Sequence, residues 1–249
     1  MKIPTLIINL ARASNRRKHM QQILKNYDFL DISFFAAVDG KSLTNSEVDS
    51  YFNASKAYER YGRNLNRGEI GCTLSHICCY RQVMESAANV SLILEDDISI
   101  LRDISVLPEL IPLVDVSKPV ILLLSGDFWY SRRLRKVRNL EVVKVFDAVG
   151  AYAYLINKAA AELIISKYLT PSHVADHWMV YRELGVQILA LDPYLIDANI
   201  GGLESTIKQE FFGENRAKMT IPNVIKAYRY AFVKKILLRL NRFVSKIRL

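Results

Sequence analysis

The sequence feature that most constrains the fold is a short apolar run that ends in three consecutive carboxylates. Residues 90–94 read Val-Ser-Leu-Ile-Leu, and Glu95, Asp96 and Asp97 follow at once. An apolar run of this length predicts a buried strand of a mostly parallel sheet, and ligands of open α/β sheets bind beyond the carboxyl ends of such strands. Adjacent carboxylates repel one another unless a cation lies between them, so the run predicts a site for Mn²⁺ or Mg²⁺. A solvated acidic turn is the alternative.

Length and composition favour one globular domain with an appendage. The chain has 249 residues, 51% of them hydrophobic, and no apolar run of the 18 or more residues that a membrane-spanning helix requires. Its three cysteines, Cys72, Cys78 and Cys79, are clustered and odd in number, and their spacing does not indicate a zinc site. We interpret them as free thiols in a reducing compartment and expect a cytoplasmic protein.

The basic residues are unevenly distributed. Net charge is +9, but residues 215–249 hold ten basic residues and no acid, which leaves 24 basic against 25 acidic residues in the rest. We therefore divide the chain into a domain at 1–214 and a tail at 215–249. The tail predicts an amphipathic helix with one basic face: Lys235, Arg239, Arg242 and Lys246. Such a helix is typical of anionic membrane surfaces; a partner groove or nucleic acid is the alternative, and without an RNA-binding motif we expect no nucleic acid.

Local patterns predict an alternation of strands and helices. Strands are expected at 3–9, 32–38, 90–95, 119–124, 141–146, 151–156 and 187–191. Helices are expected at 14–27, 44–51, 68–86, 108–116, 157–167, from 171, and from 222 through Ile247. Residues 54–67 are expected to be a loop. The basic stretch at 131–138 is a solvated loop or, through Arg132, Arg133 and Arg135, a contact for phosphates of an acceptor.

Several polar residues follow the predicted strands. Arg12 and Arg16, with Arg17, come after the first strand, where arginine can bind phosphate, although ordinary surface arginines are as common there. Asp39 and Gly40 follow the second strand and form either a turn or a ribose contact. The helix that begins at Gly68 contains His76, which is either a buried core histidine or a catalytic residue.

The order of these motifs resembles glycosyltransferase family 25, the bacterial lipooligosaccharide galactosyl- and glucosyltransferases related to collagen galactosyltransferases. Four blocks carry the resemblance across roughly residues 3–207. They are Ile-Ile-Asn-Leu at 7–10 with the arginines after it; Ala-Val-Asp-Gly at 37–40; the helix at 68–76 followed by 92–97; and residues 150–156 with Asp176 and Glu204-Ser205.

The resemblance implies a GT-A fold, which is a Rossmann-like α/β nucleotide-sugar-binding domain, and inversion at the anomeric carbon. It implies Mn²⁺ or Mg²⁺ and a donor that is UDP-galactose or UDP-glucose. Residues 95–97 stand where GT-A enzymes carry their Asp-x-Asp signature, so the metal residues are Glu95, Asp96 and Asp97. The expected donor-binding residues are Asn9, Leu10, Arg12, Arg16, Asp39, Gly40, Gly68, Glu69, Ser75, His76, Glu95, Asp96, Glu204 and Ser205.

Catalysis by inversion requires a general base for the acceptor hydroxyl. The resemblance implies Asp176, with His177 and Asp127 in reserve. Asp97 is the expected direct metal ligand, because continued strand geometry would point Glu95 and Asp97 to one side and Asp96 away. Asp192 or Asp197 could supply a third ligand.

The expected acceptor is a lipid-linked oligosaccharide, the core of lipooligosaccharide or lipopolysaccharide, reached from the cytosolic face of the inner membrane. The rival hypothesis is a binding module without enzymatic activity that docks to anionic membrane or nucleic acid through its tail.

Overall fold

In the part of the chain that the structure describes, a nine-stranded mixed sheet forms the centre. The computed structural model describes residues 2–198, 231–240 and 242–244. The strands are β1 Ile3–Asn9, β2 Leu30–Ala36, β3 Val90–Glu95, β4 Ile98–Ile100, β5 Val120–Leu123, β6 Asp127–Val137, β7 Leu140–Val149, β8 Ala153–Asn157, β9 Gln187–Asp192, β10 Ile196–Ala198 and β11 Phe243–Val244. The helices are α1 Ser14–Leu24, α2 Asn45–Tyr51, α3 Ala54–Tyr61, α4 Arg67–Glu85, α5 Leu107–Val114, α6 Lys158–Lys167 and α7 Trp178–Leu184, and residues 231–239 are also helical.

The sheet has the order β11-β6-β7-β9-β5-β8-β3-β1-β2, while β4 and β10 form a separate pair. The α/β class predicted from the sequence is confirmed. The prediction of a mostly parallel sheet is wrong, because β3 is parallel to β1 but antiparallel to β8, and β6, β7 and β11 also pair antiparallel. An apolar run buried on both faces reads the same in either direction, so the sequence could not distinguish them.

Strand direction brings the predicted motifs to one edge of the sheet. β1, β2 and β3 are mutually aligned, so the residues after Asn9, Ala36 and Glu95 emerge together. β8 runs the other way, and Leu94 pairs with Ala153 at its first residue. Residues 150–152, which precede β8, therefore lie at the same edge as the acidic run.

Helices cover both faces of the sheet. α4, α6 and α7 pack on one side, through buried residues such as Ile77, Tyr80 and Trp178. α1 and α5 pack on the other, through residues such as Met20 and Leu110. β3 serves both layers, because its successive side chains alternate between them. Among the described residues, no helix has the length and apolar character needed to cross a bilayer.

Three local predictions differ from the structure. Residues 54–61 form α3 rather than a loop, because the Asn53 side chain caps the helix by accepting from the Lys56 amide and Gly62 ends it in a left-handed conformation. The basic stretch forms part of β6. The backbone pairing of β6 with β7 stabilises this strand more than the repulsion among its basic side chains destabilises it. The helix expected from residue 171 begins only at Trp178. The Thr44–Glu47 capping box and the Asn157 cap are both present.

The tail differs from a continuous helix at its end. Residues 231–239 are helical, but Phe243 and Val244 form β11, which pairs with β6 at the edge of the large sheet. Phe243 stacks on Trp129 with ring centroids 4.4 Å apart. These contacts with the sheet stabilise an extended conformation that helical periodicity cannot reveal. The expected boundary between residues 214 and 215, and Lys246, lie outside the described residues.

Two glycines allow the loop after β2 to touch α4. A Cβ added to Gly71 would lie 2.5 Å from the Gly40 nitrogen and 2.7 Å from the Val38 oxygen, and a Cβ on Gly40 would clash with the carbonyl oxygen of Arg67. These neighbours are backbone atoms, which cannot move aside as a flexible side chain can. The loop after β2 and the first turn of α4 therefore meet backbone to backbone at these two glycines.

We expect Gly71→Ala to destabilise the protein by about 1–3 kcal/mol, the usual penalty for overpacking. Gly71 lies inside α4, so helix propensity alone would make the substitution stabilising by about 1 kcal/mol. Because the two effects have opposite signs, urea denaturation of the two proteins distinguishes them. Unchanged or increased stability would show that the contact between the loop and α4 is not tight.

Candidate active site

A cavity of about 590 Å³ opens where the predicted motifs meet. Its walls come from the ends of β1, β2 and β3, the start of α4, and the segments before β8 and α7. The predicted site residues that line it are Leu10, Arg12, Arg16, Asp39, Gly40, Gly68, Glu69, Ser75, His76, Glu95, Asp96, Asp97 and Asp176. Asn9 does not line the cavity, but it bonds to Asp96. The fold thus gathers residues that are up to 166 positions apart in the chain.

Asp96 is held entirely by neighbouring protein groups. The Asn9 side-chain amide donates to its Oδ2 at 2.6 Å, and the Arg16 guanidinium donates to its Oδ1 at 2.8 Å. The carboxylate is buried, at 8% side-chain exposure, so these charge-assisted bonds replace the water it has lost. Asp96 therefore anchors the end of β3 to β1 and α1. Arg16, expected to contact phosphate, is engaged with the acidic run.

Asp97 is only partly satisfied. Its Oδ2 lies 3.1 Å from Arg16, but its Oδ1 is buried and has no hydrogen-bond partner among the described residues. Burial and the nearby Glu95 charge raise the pKa of Asp97 from 3.8 to about 6, against the opposing effect of Arg16. An orphaned carboxylate oxygen beside a second carboxylate suits a hard divalent cation, which favours oxygen ligands. The residues present therefore fit the predicted metal.

We expect Asp97→Asn to stabilise the protein in the absence of divalent cations. Since folding raises the pKa of Asp97, the native state binds the proton more tightly than the unfolded chain, and stability declines as pH rises from about 4 through 6. Because one pKa unit corresponds to about 1.4 kcal/mol and the pKa rises from 3.8 to about 6, the variant should gain ~3 kcal/mol at pH 7.5. Urea denaturation in EDTA at pH 4.5 and 7.5 measures the difference.

Asp49→Asn is the matched control, because Asp49 lies exposed on α2 and does not line the cavity. Its stability should follow the wild type at both pH values. The electrostatic explanation would be contradicted if Asp97→Asn and wild type had the same free energy of unfolding at pH 7.5. It would also be contradicted if the difference between them were the same at both pH values.

Asp176 lies in the same cavity, on the segment that precedes α7. The Gly150 amide donates to its Oδ2 at 3.0 Å, and the Trp178 indole nitrogen donates to the Gly150 carbonyl at 2.9 Å, which fixes the loop between them. Burial raises the pKa of Asp176; the hydrogen bond from Gly150 lowers it, and Glu95 raises it again. A carboxylate with a raised pKa is a stronger base than a solvated one.

His76 combines the two roles that the sequence left open. It is 1% exposed and its Nδ1 lies 2.7 Å from the Tyr154 hydroxyl, as expected of a core histidine. Its Nε2 lies 3.3 Å from Glu95 Oε1 at the cavity wall. Cys72 lies one helical turn before it and also lines the cavity, as does Tyr152. Neither Cys72 nor Tyr152 was predicted to belong to the site, although the four-residue spacing of Cys72 and His76 can be read from the sequence.

Other predicted donor residues bond within the protein. Glu69 accepts two bonds from Arg63, at 2.6 and 2.9 Å, and completes a capping box with Asn66. Burial alone would raise the pKa of Glu69, but those hydrogen bonds lower it overall. Ser75 accepts from the Val38 amide at 2.9 Å, and so joins α4 to the loop after β2.

The rim of the cavity carries an exposed ion pair, in which Arg12 contacts Asp39. Because both groups are solvated, their charges remain accessible to a ligand. The pair lies on the wall formed by the segments after β1 and β2.

Several candidates lie away from the cavity. Arg132, Arg133 and Arg135 lie on β6, where Arg133 pairs with Glu141 at 2.8 Å. The reserve residues His177 and Asp127 and the possible third ligands Asp192 and Asp197 do not line it either. Asp197 is buried and accepts from the Tyr194 hydroxyl at 3.4 Å. Glu204 and Ser205 lie outside the described residues.

Comparison with protein families agrees with this arrangement. The profile of glycosyltransferase family 25, described as an LPS biosynthesis protein family, matches residues 2–179. The chain belongs to glycosyltransferase family 25. The match runs from β1 to the first two residues of α7, so every described wall of the cavity lies within the family 25 region. The resemblance stated from the motifs is confirmed, and membership supports a glycosyltransferase.

Relatives of this family 25 chain include animal proteins. Procollagen galactosyltransferase 1 of Danio rerio is 35% identical over 95 residues, which are 37% of this chain and 16% of that protein. A glycosyltransferase 25 family member of Anopheles gambiae is 38% identical over 97 residues, again 37% of this chain and 16% of that protein. The chain thus spans about a sixth of the length of these curated relatives.

Structural comparison gives weaker likenesses. The glycosyltransferase GlyE of Streptococcus pneumoniae TIGR4 aligns with a TM-score of 0.38 and 12% identity, over 98% of this chain and 65% of that chain. A likeness at this score carries no inference about fold or function.

Proposed function

We propose that the protein transfers galactose or glucose from a UDP-sugar to an acceptor hydroxyl, with inversion and with the help of Mn²⁺ or Mg²⁺, on a GT-A type fold. The observation that carries the proposal is the set of carboxylates, Glu95, Asp97 and Asp176, around one cavity of about 590 Å³. That volume is within the range of about 300–1,000 Å³ found for small-molecule sites.

Glu95 and Asp97 would hold the cation, with Asp96 setting their position. Asp97 offers an oxygen that has no partner in the described part of the chain, whereas both oxygens of Asp96 are already bonded. When bound, the ion would supply positive charge at the donor diphosphate, where negative charge grows as UDP departs. Arg16 lies beside the same carboxylates, so a phosphate that approaches them also meets a guanidinium.

The nucleoside part of the donor would lie against the wall formed by the segments after β1 and β2. The side chains of Arg12 and its partner Asp39 are partly exposed, by 51 and 27%, and Leu10 and Gly40 also line the cavity. A carboxylate after the second strand can accept hydrogen bonds from ribose or base. Arg12 would release Asp39 for this contact at little cost, because an exposed ion pair contributes little stability.

Asp176 would act as the general base. Its Oδ2 is fixed by the Gly150 amide, so the carboxylate holds one orientation toward the cavity. It would accept the proton of the acceptor hydroxyl as that oxygen attacks the anomeric carbon from the face opposite the departing UDP. The raised pKa of Asp176, caused first by burial, brings its basicity closer to that required near neutral pH.

We expect Asp176→Asn to lower kcat about 10²- to 10⁴-fold, the range typical for loss of a general base. Stabilisation by Mn²⁺ with UDP should persist in this variant, because the binding carboxylates remain. Asp97→Asn should lose both activity and the Mn²⁺-dependent thermal shift. Release of UDP from UDP-galactose and UDP-glucose, with and without Mn²⁺, measures activity, and NMR of the product gives the anomeric configuration.

Asp49→Asn serves as the control and should match wild type in both assays. Absence of UDP release with every UDP-hexose, or a product of retained configuration, would contradict the proposed reaction. Activity within about threefold of wild type in Asp176→Asn would remove Asp176 from the role of base, since acid–base catalysis contributes far more than that.

The acceptor would be a lipid-linked oligosaccharide at the cytosolic face of the inner membrane, as in lipooligosaccharide or lipopolysaccharide core synthesis. Support comes from the helical segment 231–239. Phe232, Ile236 and Leu240 recur every four residues and are exposed by 66, 40 and 55%. Lys235 and Arg239 are exposed on the same segment. An exposed apolar stripe beside basic side chains matches an anionic membrane surface in both polarity and charge.

Other described residues of the tail hold this surface against the large sheet. Leu237 is buried, Lys234 pairs with Asp147 and lies 3.9 Å from the Trp129 ring centroid, and Arg242 donates to the Ser131 carbonyl. Arg242, expected to face the membrane, therefore binds the sheet instead. The apolar stripe would hold the β6–β7 hairpin, with Arg132 and Arg135, near the phosphates of the membrane or acceptor.

We expect the double substitution Phe232→Ser and Ile236→Ser to weaken binding to phosphatidylglycerol vesicles at least tenfold, because each buried apolar side chain contributes roughly 1.5–3 kcal/mol. Co-sedimentation at two salt concentrations measures binding. Leu169→Ser is the matched control, because Leu169 is 73% exposed outside the tail. Equal binding by the double variant, or preference for RNA over vesicles, would contradict membrane docking.

A further inference from the structure

Three side chains present a sulfur, a nitrogen and an oxygen atom to one corner of the cavity. Cys72 and His76 lie one turn apart on the same face of α4, and Glu95 ends β3 opposite them. Their potential ligand atoms all lie within 4.8 Å of one another. The set combines a helix and a strand, so the spacing of cysteines alone does not reveal it.

The hydrogen bonds of His76 allow its Nε2 to face this corner as a metal ligand. Nδ1 lies 2.7 Å from the Tyr154 hydroxyl, which in turn lies 3.0 Å from the Tyr80 hydroxyl. In the tautomer whose proton is on Nδ1 and bonded to Tyr154, Nε2 directs its lone pair toward Glu95 Oε1, 3.3 Å away. A cation between these two atoms would be bound by both. Metal-binding histidines typically donate their other ring N–H to a fixed acceptor, and Tyr154 can serve as that acceptor here.

The distance between His76 and Glu95 agrees with a tetrahedral zinc ion. Zinc bonds to histidine nitrogen and carboxylate oxygen are about 2.0–2.2 Å long, so two such ligands at a tetrahedral angle lie roughly 3.3–3.5 Å apart. His76 Nε2 and Glu95 Oε1 are 3.3 Å apart. A thiolate and an imidazole select zinc over Mg²⁺ or Mn²⁺, which prefer oxygen ligands. Three protein ligands would leave a fourth position for water.

We propose that Cys72, His76 and Glu95 form a binding site for Zn²⁺, distinct in its ligands from the site for Mn²⁺ but sharing Glu95 with it. Zinc bound at this corner would occupy Glu95, so Glu95 could no longer bind the Mn²⁺ that the transferase uses. Zinc would therefore inhibit the transferase. The binding site stands on geometry alone, whereas the inhibition rests on the proposed function.

Access and charge support this site. All three residues line the cavity, and Cys72 is partly exposed, so an ion can enter from solvent. Glu95, Asp97 and Asp176 line the same cavity, so carboxylates surround this corner. The same carboxylates balance the charge of the bound ion.

Zinc binding to the tag-free, reduced full-length chain tests the proposal. We expect one Zn²⁺ per chain by calorimetry and equilibrium dialysis, and a thiolate charge-transfer absorption when Co²⁺ replaces it. Cys72→Ser should weaken zinc binding by at least the ~10- to 100-fold that follows loss of an outer-shell partner, and should lose the absorption. Cys78→Ser is the matched control, because Cys78 is also partly exposed on α4 but does not belong to the group.

The outcomes separate this proposal from the proposed function. Zinc binding that Cys72→Ser loses and Cys78→Ser keeps supports the site even if no UDP-sugar is turned over. Zinc binding that is absent in wild type, or equal in Cys72→Ser, overturns it even if the enzyme is active. With an active enzyme, micromolar Zn²⁺ should inhibit wild type and Cys78→Ser far more than Cys72→Ser, and equal inhibition of all three would overturn competition through this site.

Discussion

Repulsion among carboxylates confined in one partly buried cavity is the constraint on which the site depends. Glu95 ends β3 and Asp97 lies two residues beyond it, while Asp176 comes from a segment close to 80 positions later. Folding brings them together and removes water, which raises the pKa of Asp97 and Asp176. Arg16 offsets only part of this charge. The fold therefore stores an electrostatic penalty at this edge of the sheet, which a bound cation would relieve.

Contacts with neighbouring elements hold this cluster of carboxylates in place. Asn9 and Arg16 tie Asp96 to β1 and α1, which frees its neighbours on either side. The contact between Gly40 and Gly71 fixes the start of α4 against the loop after β2. Because these contacts involve buried polar groups and backbone atoms, a small displacement of either wall would cost more than a change in surface side chains. Rigid walls suit a site that must position two substrates.

The position of the C-terminal segment is set by its contacts with the large sheet. By composition it is a basic tail that could act alone. In the structure, β11 extends the sheet beside β6, and Lys234 and Arg242 bond to sheet residues. Edge pairing thereby leaves the apolar stripe of 232, 236 and 240 exposed in a fixed orientation. A surface held in this way would set the height of the cavity above a membrane.

The sequence by itself determined the elements whose signals are local. β1, the Thr44 and Asn157 caps and the acidic run at the end of β3 follow from side-chain periodicity and hydrogen bonds within a few residues. The family motifs also located most of the cavity lining. Tertiary structure alone decided the direction of β8, the strand at β6, which of Asp96 and Asp97 is satisfied, and the meeting of Cys72 and His76 with Glu95. Each of these depends on strand pairing or loss of water between distant residues, which no local pattern of side chains encodes.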